Sequence, residues 1–400
     1  MAIVTPQIKD FMQTQSWIRR MFEAAAELKA KYGEDRVFDF SLGNPDVPPP
    51  AEVAQALHDL AQRASKPLSF GYCPNAGLPA VREALAGRVS EEQQTPLAGK
   101  HIVVTCGAAG AMNALFRAIL LPDDEVMTFS PYFVEYGFYA ANFGARLVTV
   151  PSRNDFSLDP KALEAAITNR TRALILNSPN NPTGVVYSRE ELEAVVDILT
   201  LKSAEYGRPI LLISDEPYRF LTYDGLTPPA ILPLYDSSVI ISSFSKSLSL
   251  AGERIGYLAV NPRLDGADLL LNGIILANRI LGYVNAPIIG QHIILASLHA
   301  GVDVTVYEQR RRAMAEILDE MGFEYVMPQG AFYFFPKTPQ GYSDDDFIKL
   351  LLSENIIAVP GGGFGREGHF RVAFCMEESI IRASRSAWLR VKDKLASPPQ

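Results

Sequence analysis

VIISSFSKSLSLAGERIGY, residues 239–257, begins as an unbroken β-branched run and changes character within a few positions. Val239, Ile240 and Ile241 put apolar side chains on both faces of an extended chain, as a strand buried in a parallel sheet does. The run ends in Ser242 and Ser243, and Lys246 follows between two further serines. Arg254 comes eight residues after Lys246, between Gly252 and Gly256. A lysine is most often a solvated surface charge. One that directly follows a buried strand stands where open parallel sheets bind their ligands, beyond the carboxyl ends of the strands.

The same texture recurs upstream. IVVT (102–105), EVMTF (125–129), RLVTV (146–150), ALILN (173–177) and ILLIS (210–214) are strand-like runs. Helical stretches such as SREELEAVVDILTLKSAEYG (188–207) separate most of them. Alternation of this kind predicts an α/β domain built on a mostly parallel sheet. Before it, residues 14–32 predict a helix with Thr14 or Ser16 as cap and Gly33 as its stop. FDF then gives a short strand, and Pro48, Pro49 and Pro50 mark a junction that neither helix nor central strand can cross. After residue 300 a long charged helix (303–321) precedes the shorter runs AFYFFP, NIIAVP and HFRVAF. The expectation is a large α/β domain over 50–300 and a smaller α+β domain made from 1–49 and 301–400.

Four hundred residues exceed the usual size of one core, in keeping with two domains. Apolar residues make up 48%, charged residues 20%, and the net charge is −8, which gives no general electrostatic reason to bind nucleic acid. Cys73, Cys106 and Cys375 lie far apart, with no C-x-x-C, so reduced thiols and a cytoplasmic location are expected rather than a disulfide framework. MAIVTPQIKDFMQTQ lacks a basic segment followed by an apolar core, so no secretory signal is expected. The richest apolar stretch, Leu269–Leu298, is interrupted by Asn272, Asn278, Arg279, Asn285, Gln291 and His292. It reads as buried helix and connecting loop, and no membrane partner is expected.

The residues just beyond each strand therefore carry the argument. ALILN runs into SPNNPTG, ILLIS into DEPY, the opening run into FSKS, and IVVT into CGAAGAMNAL. Gly107, Ala108, Ala109 and Gly110 open a helix directly after a strand, where small residues let backbone N–H groups approach an anion. Ser243 and Ser245 add hydroxyls, and Arg254 a forked cation suited to phosphate. A tight turn with no ligand is the plain alternative for the glycine pair. No G-x-x-x-x-G-K-[ST] occurs. Gly363, Gly365 and Gly368 do form a G-x-G-x-x-G, but HFRVAF after them reads as strand, which speaks for a hairpin over a dinucleotide site. A lysine amine of lowered pKa forms Schiff bases with aldehydes. Asp215 could pair with a protonated pyridine nitrogen, while Tyr218 and Asn181 could bond a phenolic oxygen. Together these would hold pyridoxal phosphate and make its ring an electron sink. Singly, Asp215 reads as a helix cap and Tyr218 as core packing. Their arrival at successive strand ends favours one common ligand, and no metal is expected.

These segments resemble the class I/II aminotransferases, pyridoxal-phosphate enzymes of fold type I, over nearly the whole chain. NNPTG (180–184) is similar to the family's Asn-Pro-x-Gly turn, SDEPY (214–218) to its Asp-x-x-Tyr, SFSKSLSLAGERIGY to its Schiff-base lysine segment, and FRVAF (370–374) to the strand carrying its carboxylate-binding arginine. The resemblance implies that Lys246 holds the cofactor and that Asp215 faces the pyridine nitrogen, with Asn181 and Tyr218 on the phenolic oxygen. Ser243, Ser245, Arg254 and the amides around Gly107, Ala108 and Ala109 would hold phosphate. Tyr132, in SPYFVEY, would stack on the ring. Tyr72 would reach the phosphate of a neighbouring subunit, which implies a homodimer with shared sites. Arg371, and the Gly43 amide in SLGNP, would take the substrate α-carboxylate, with Asn181 also on the substrate side. Many relatives carry Ser or Thr where this loop has Ala108 and Ala109, so backbone amides must do more here.

The implied reaction is a ping-pong transfer of an amino group between an L-amino acid and a 2-oxo acid through Lys246. Aspartate with 2-oxoglutarate is the leading pair; alanine or aromatic donors, a fold type I lyase, and a non-catalytic sensor remain alternatives. An acidic side chain calls for a second cation, for which Arg279 is a candidate, although a helix arginine at a surface or dimer interface reads equally well.

Overall fold

The computed structural model describes residues 3–13 and 17–396. The expected caps Thr14 and Ser16 lie outside the described residues; the helix itself runs Trp17–Tyr32. Seven strands form the central sheet, in the spatial order Ile102–Thr105, Gly256–Val260, Ser238–Ser243, Leu211–Asp215, Thr171–Asn177, Glu125–Ser130 and Arg146–Pro151. From Ser238–Ser243 outward to Arg146–Pro151 every pairing is parallel. Gly256–Val260 is antiparallel to both its neighbours. That strand is not among the runs singled out from the sequence. It follows the lysine turn closely, and so short a return can only lead back antiparallel.

Alternate residues along each strand feed two separate cores. Val103, Val126, Ile175, Ile213, Val239, Ile241 and Leu258 pack on one face against the helices Gly107–Ile119 and Ala267–Ile280. Val104, Met127, Leu174, Leu212, Ile240 and Ala259 pack on the other. Except at the edge strand Arg146–Pro151, both faces are covered, which is why the strands read as continuous apolar runs. Leu269–Leu298 resolves into Ala267–Ile280 and Ile288–Ser297. Among the described residues no helix is long and apolar enough to cross a membrane.

Two small sheets complete the fold. Phe38–Asp39 pairs in parallel with Ile356–Ile357. Phe370–Ala373 lies between Val359–Pro360 and Tyr333–Phe334, antiparallel to both. The helix Val304–Met321, capped by Asp303, packs on Glu378–Ala396. The turn holding Gly363, Gly365 and Gly368 leads from Val359–Pro360 into Phe370–Ala373, strand to strand. These elements carry Arg371 and Tyr333 to the C-terminal edge of the large sheet.

Candidate active site

Three neighbouring strands end at one cavity of about 310 Å³. Thr171–Asn177 delivers Asn177 and, just beyond it, Asn181; Leu211–Asp215 delivers Asp215 and Tyr218; Ser238–Ser243 delivers Ser243, Ser245 and Lys246. The helix Gly107–Ile119 adds Ala108, Ala109 and Met112, and Gly43, Arg254, Tyr333 and Arg371 close the walls. Most of the residues singled out from the sequence therefore meet at one cavity.

Local packing explains how each side chain is held. The Asn177 side chain bridges two strand ends, donating from Nδ2 to the Asp215 carbonyl (2.9 Å) and accepting the Asn181 amide at Oδ1 (2.7 Å). Asn181 Oδ1 in turn accepts from Arg371 at 3.0 Å. The other end of the guanidinium donates to the Ser41 carbonyl, and the Tyr333 and Phe364 rings lie 4.6 and 4.7 Å from it. Tyr218 Oη and Tyr333 Oη are 2.8 Å apart. Arg371 is thus fixed in direction while its Nε keeps no partner.

Asp215 is buried, and that burial pushes its carboxyl up to about 7 against the opposing hydrogen bond from Tyr136, with the nearby Glu216 charge adding to the rise. Tyr136 donates to Oδ2, and Oδ1 has no partner at all. A buried carboxylate oxygen without a donor is costly. A protonated pyridine nitrogen would supply the missing donor. Lys246 shows the complementary shift: enclosure pulls its amine down to about 8, and Arg371 and Arg254 push the same way. Its Nζ donates to the Gly43 carbonyl.

The far end of the cavity suits a phosphate. The first turn of Gly107–Ile119 presents N–H groups that the helix cannot satisfy. Arg254 lies against this turn, its guanidinium nitrogen 3.0 Å from where a Cβ on Gly107 would stand. Arg254 itself has φ +53, the left-handed region, which turns its side chain back toward the turn. An aldehyde-reactive lysine, an orphaned carboxylate oxygen and this anion cradle all fit pyridoxal phosphate.

Four sequence expectations need adjustment. Gly107 does not itself line the cavity; Ala108 and Ala109, which follow it, do. Tyr132 does not line the cavity; Phe133 does. The Tyr132 ring packs where a Cβ on Gly365 would meet it at 2.7 Å, and its amide bonds the Phe364 carbonyl, so the next residue turns inward. Arg279 is exposed on Ala267–Ile280 and does not line its own chain's cavity. Tyr72 is 92% exposed and also lies outside it. Sequence reading missed Tyr136, Tyr139, Tyr333, Met112 and Asn177. Only Asn177, the last residue of ALILN, carried a signal, as the polar end of an apolar strand.

Lysine, orphaned aspartate and anion cradle, set at the strand ends of this sheet, define a fold type I pyridoxal-phosphate enzyme. Comparison with known proteins makes the assignment narrower. Residues 35–384 match the family of aminotransferases of class I and II. Aspartate aminotransferase of Bacillus subtilis (strain 168) is 34% identical over 385 residues, 90% of this chain and 93% of that protein. The aspartate/prephenate aminotransferase of Thermus thermophilus is 32% identical, covering 92% of this chain and 93% of its own. An aminotransferase crystal structure from Eubacterium rectale superposes with a TM-score of 0.94 at 35% identity, covering 99% of this chain and 100% of that one. The chain belongs to the class I and II aminotransferase family and is a pyridoxal-phosphate-dependent aminotransferase.

Proposed function

We propose that the enzyme moves the amino group of L-aspartate to 2-oxoglutarate. The observation that carries the cofactor chemistry is the pairing of an orphaned Asp215 oxygen with a depressed lysine amine in one enclosed cavity, and the amino-group transfer rests on the family. The substrate rests on the relatives, which are named aspartate aminotransferases. Bound pyridoxal phosphate supplies an electron sink for the charge left at the substrate Cα when a proton departs. Asp215 would hold the ring nitrogen protonated; Asn181 and Tyr218 would bond the phenolic oxygen; Ser243, Ser245, Arg254 and the Ala108 and Ala109 amides would hold the phosphate. Phe133 takes the ring-facing place expected of Tyr132. Arg371, with its free Nε, would clamp the α-carboxylate of amino acid and 2-oxo acid alike. One clamp for two substrates makes them bind in turn, which is ping-pong kinetics. Lys246 would take the α-proton as base and return it.

Tyr72, so exposed in the single chain, supports a homodimer in which it reaches the neighbour's phosphate. The division into a large domain over 50–300 and a small one from 1–49 and 301–400 belongs to the same proposal. The three free thiols suit a reducing compartment, the cytoplasm.

A second reading has its own observation. The cations lining the cavity are Lys246, Arg254 and Arg371, each already engaged, so none among the described lining residues is left for an acidic side chain. Met112, Phe133 and Tyr139 line the same walls, which favours an alanine or aromatic donor unless the neighbouring subunit adds a cation. A panel of amino donors assayed with 2-oxoglutarate separates the two. Aspartate turnover well above the others supports the first; absent aspartate turnover beside good alanine or aromatic turnover overturns it. Lys246→Ala should abolish turnover and prevent borohydride from fixing the cofactor covalently to the chain, and retention of multiple turnovers would refute the lysine's role.

A further inference from the structure

We propose that Cys375 and the Asp46–Arg310 ion pair are positioning residues: they hold the strap Ser41–Asp46 in register beside Arg371, and so set the geometry of the α-carboxylate subsite. This rests on the aminotransferase reading. The strap is tied to the Arg371 strand and to Cys375 just beyond it at several points, and at its end to the helix Val304–Met321. The Ala373 amide bonds the Phe40 carbonyl at 2.9 Å, and Arg371 bonds the carbonyl of Ser41. The Cys375 thiol lies 3.3 Å from the Leu42 carbonyl and 3.5 Å from that of Asn44, the two residues flanking Gly43. The Asp46 amide then bonds the Cys375 carbonyl at 3.3 Å, and the Asp46 carboxylate takes Arg310 Nη1 at 2.6 Å.

None of these groups has another evident task. Cys375 is buried, and burial pushes its thiol up to about 11, so it stays a neutral donor over the working range. Arg310 is buried on Val304–Met321, its guanidinium carbon 5.5 Å from the Tyr307 ring centroid, and it does not line the cavity. Gly43 sits so close to the Tyr333 hydroxyl that no side chain would fit there, and its carbonyl faces Lys246, so even a small shift of the strap is felt in the cavity. A strap loosened at Cys375 or Asp46 would shift Gly43 and release Arg371 on one side, while leaving Asp215 and the phosphate cradle untouched.

The test compares Cys375→Ala, Cys375→Ser, Arg310→Met and Arg310→Lys in the loaded enzyme and in the cofactor-free protein. Cys375→Ala loses one shared neutral hydrogen bond, so KM for both amino acid and 2-oxo acid should rise about fivefold with kcat nearly unchanged. Arg310→Met removes the ion pair from Asp46, whose carboxylate is partly open to water, and should raise both by about two- to fivefold. Cys375→Ser and Arg310→Lys, which keep a donor, should recover most of the loss. Cofactor affinity should not move in any of them. In the cofactor-free protein, amides of 41–46 should exchange hydrogen faster in Cys375→Ala and Arg310→Met than in the parent. Unchanged KM together with unchanged exchange in 41–46, whatever the thermal midpoint, overturns the proposal. An inactive parent enzyme would instead sink the aminotransferase reading, with the exchange result still deciding the strap.

Discussion

Asp215 is the residue at which function works against stability. Its carboxyl has a pKa of about 7 when folded, against 3.8 as the ordinary value. Below about pH 4 both states carry the proton and the group costs nothing. As pH rises toward 7 the unfolded chain ionises while the folded one does not, so stability falls through that window. Above pH 7 the full cost, roughly 4 kcal/mol at 1.36 kcal/mol per unit, is present. Asp215→Asn should therefore raise the thermal midpoint of the cofactor-free protein at pH 8, leave it nearly unchanged at pH 4, and cost cofactor affinity and turnover in the loaded enzyme. A lowered midpoint at pH 8 would contradict the account. Lys246 carries the opposite sign: with a folded pKa of about 8 against 10.5, its cost is present below pH 8 and is relieved as pH rises to 10.5. Asp215, Lys246 and Asn181 were legible in the sequence because each follows a buried apolar run, which leaves little freedom in where its side chain emerges. In SPYFVEY two aromatics stand side by side, and only the Gly365 contact decides that Phe133 and not Tyr132 faces the cavity. Tyr333 was invisible for another reason. Its partner Tyr218 is 115 residues away, and nothing local in AFYFFP marks which ring meets it.

At the scale of elements, the phosphate cradle depends on a helix and a strand lying unusually close. A Cβ on Gly256 would stand 2.7 Å from the Gly107 carbonyl carbon, 2.7 Å from the Ser242 carbonyl oxygen and 2.9 Å from the Ala108 amide. All three are backbone atoms, so nothing can swing aside. Gly256→Ala should push the strand Gly256–Val260 away from the first turn of Gly107–Ile119. The cost is about 1–3 kcal/mol of stability. Because the Ala108 amide moves with that turn, cofactor affinity should fall about tenfold as well. Calorimetry and a cofactor titration on one preparation check this; a variant with parental midpoint and affinity would overturn it. Most of the six runs were readable because two covered faces demand continuous apolar sequence; RLVTV, at the sheet edge and largely exposed, was readable from its β-branched residues instead. Gly256–Val260 was not, since its glycine and tyrosine start dilutes the pattern and its direction is set by the preceding turn. NIIAVP likewise divides between two sheets, Ile356–Ile357 with Phe38–Asp39 and Val359–Pro360 with Phe370–Ala373, a split that only tertiary pairing determines.

For the whole molecule, the proposed dimer makes each active site the joint property of two chains, and that can be tested without seeing the interface. Lys246 lines the cavity of its own chain, whereas Tyr72 points to solvent there at 92% exposure. Leu68 and Phe70, on the same loop, are exposed too, at 89% and 46%, which is costly for apolar side chains unless another surface covers them. Suppose Tyr72 serves the neighbour's phosphate. Then a Lys246→Ala chain still lends a sound Tyr72, and a Tyr72→Ala chain still holds a sound Lys246. Each variant alone should be impaired, Lys246→Ala in turnover and Tyr72→Ala chiefly in cofactor affinity. Unfolding and refolding the two together should produce mixed dimers in which one site carries both defects and the other carries neither. Activity at limiting cofactor should then exceed the sum of the separate preparations, and it should fall with dilution as the dimers separate. If Tyr72 acts only within its own chain, every site in the mixture keeps one defect, and mixing yields no more than that sum.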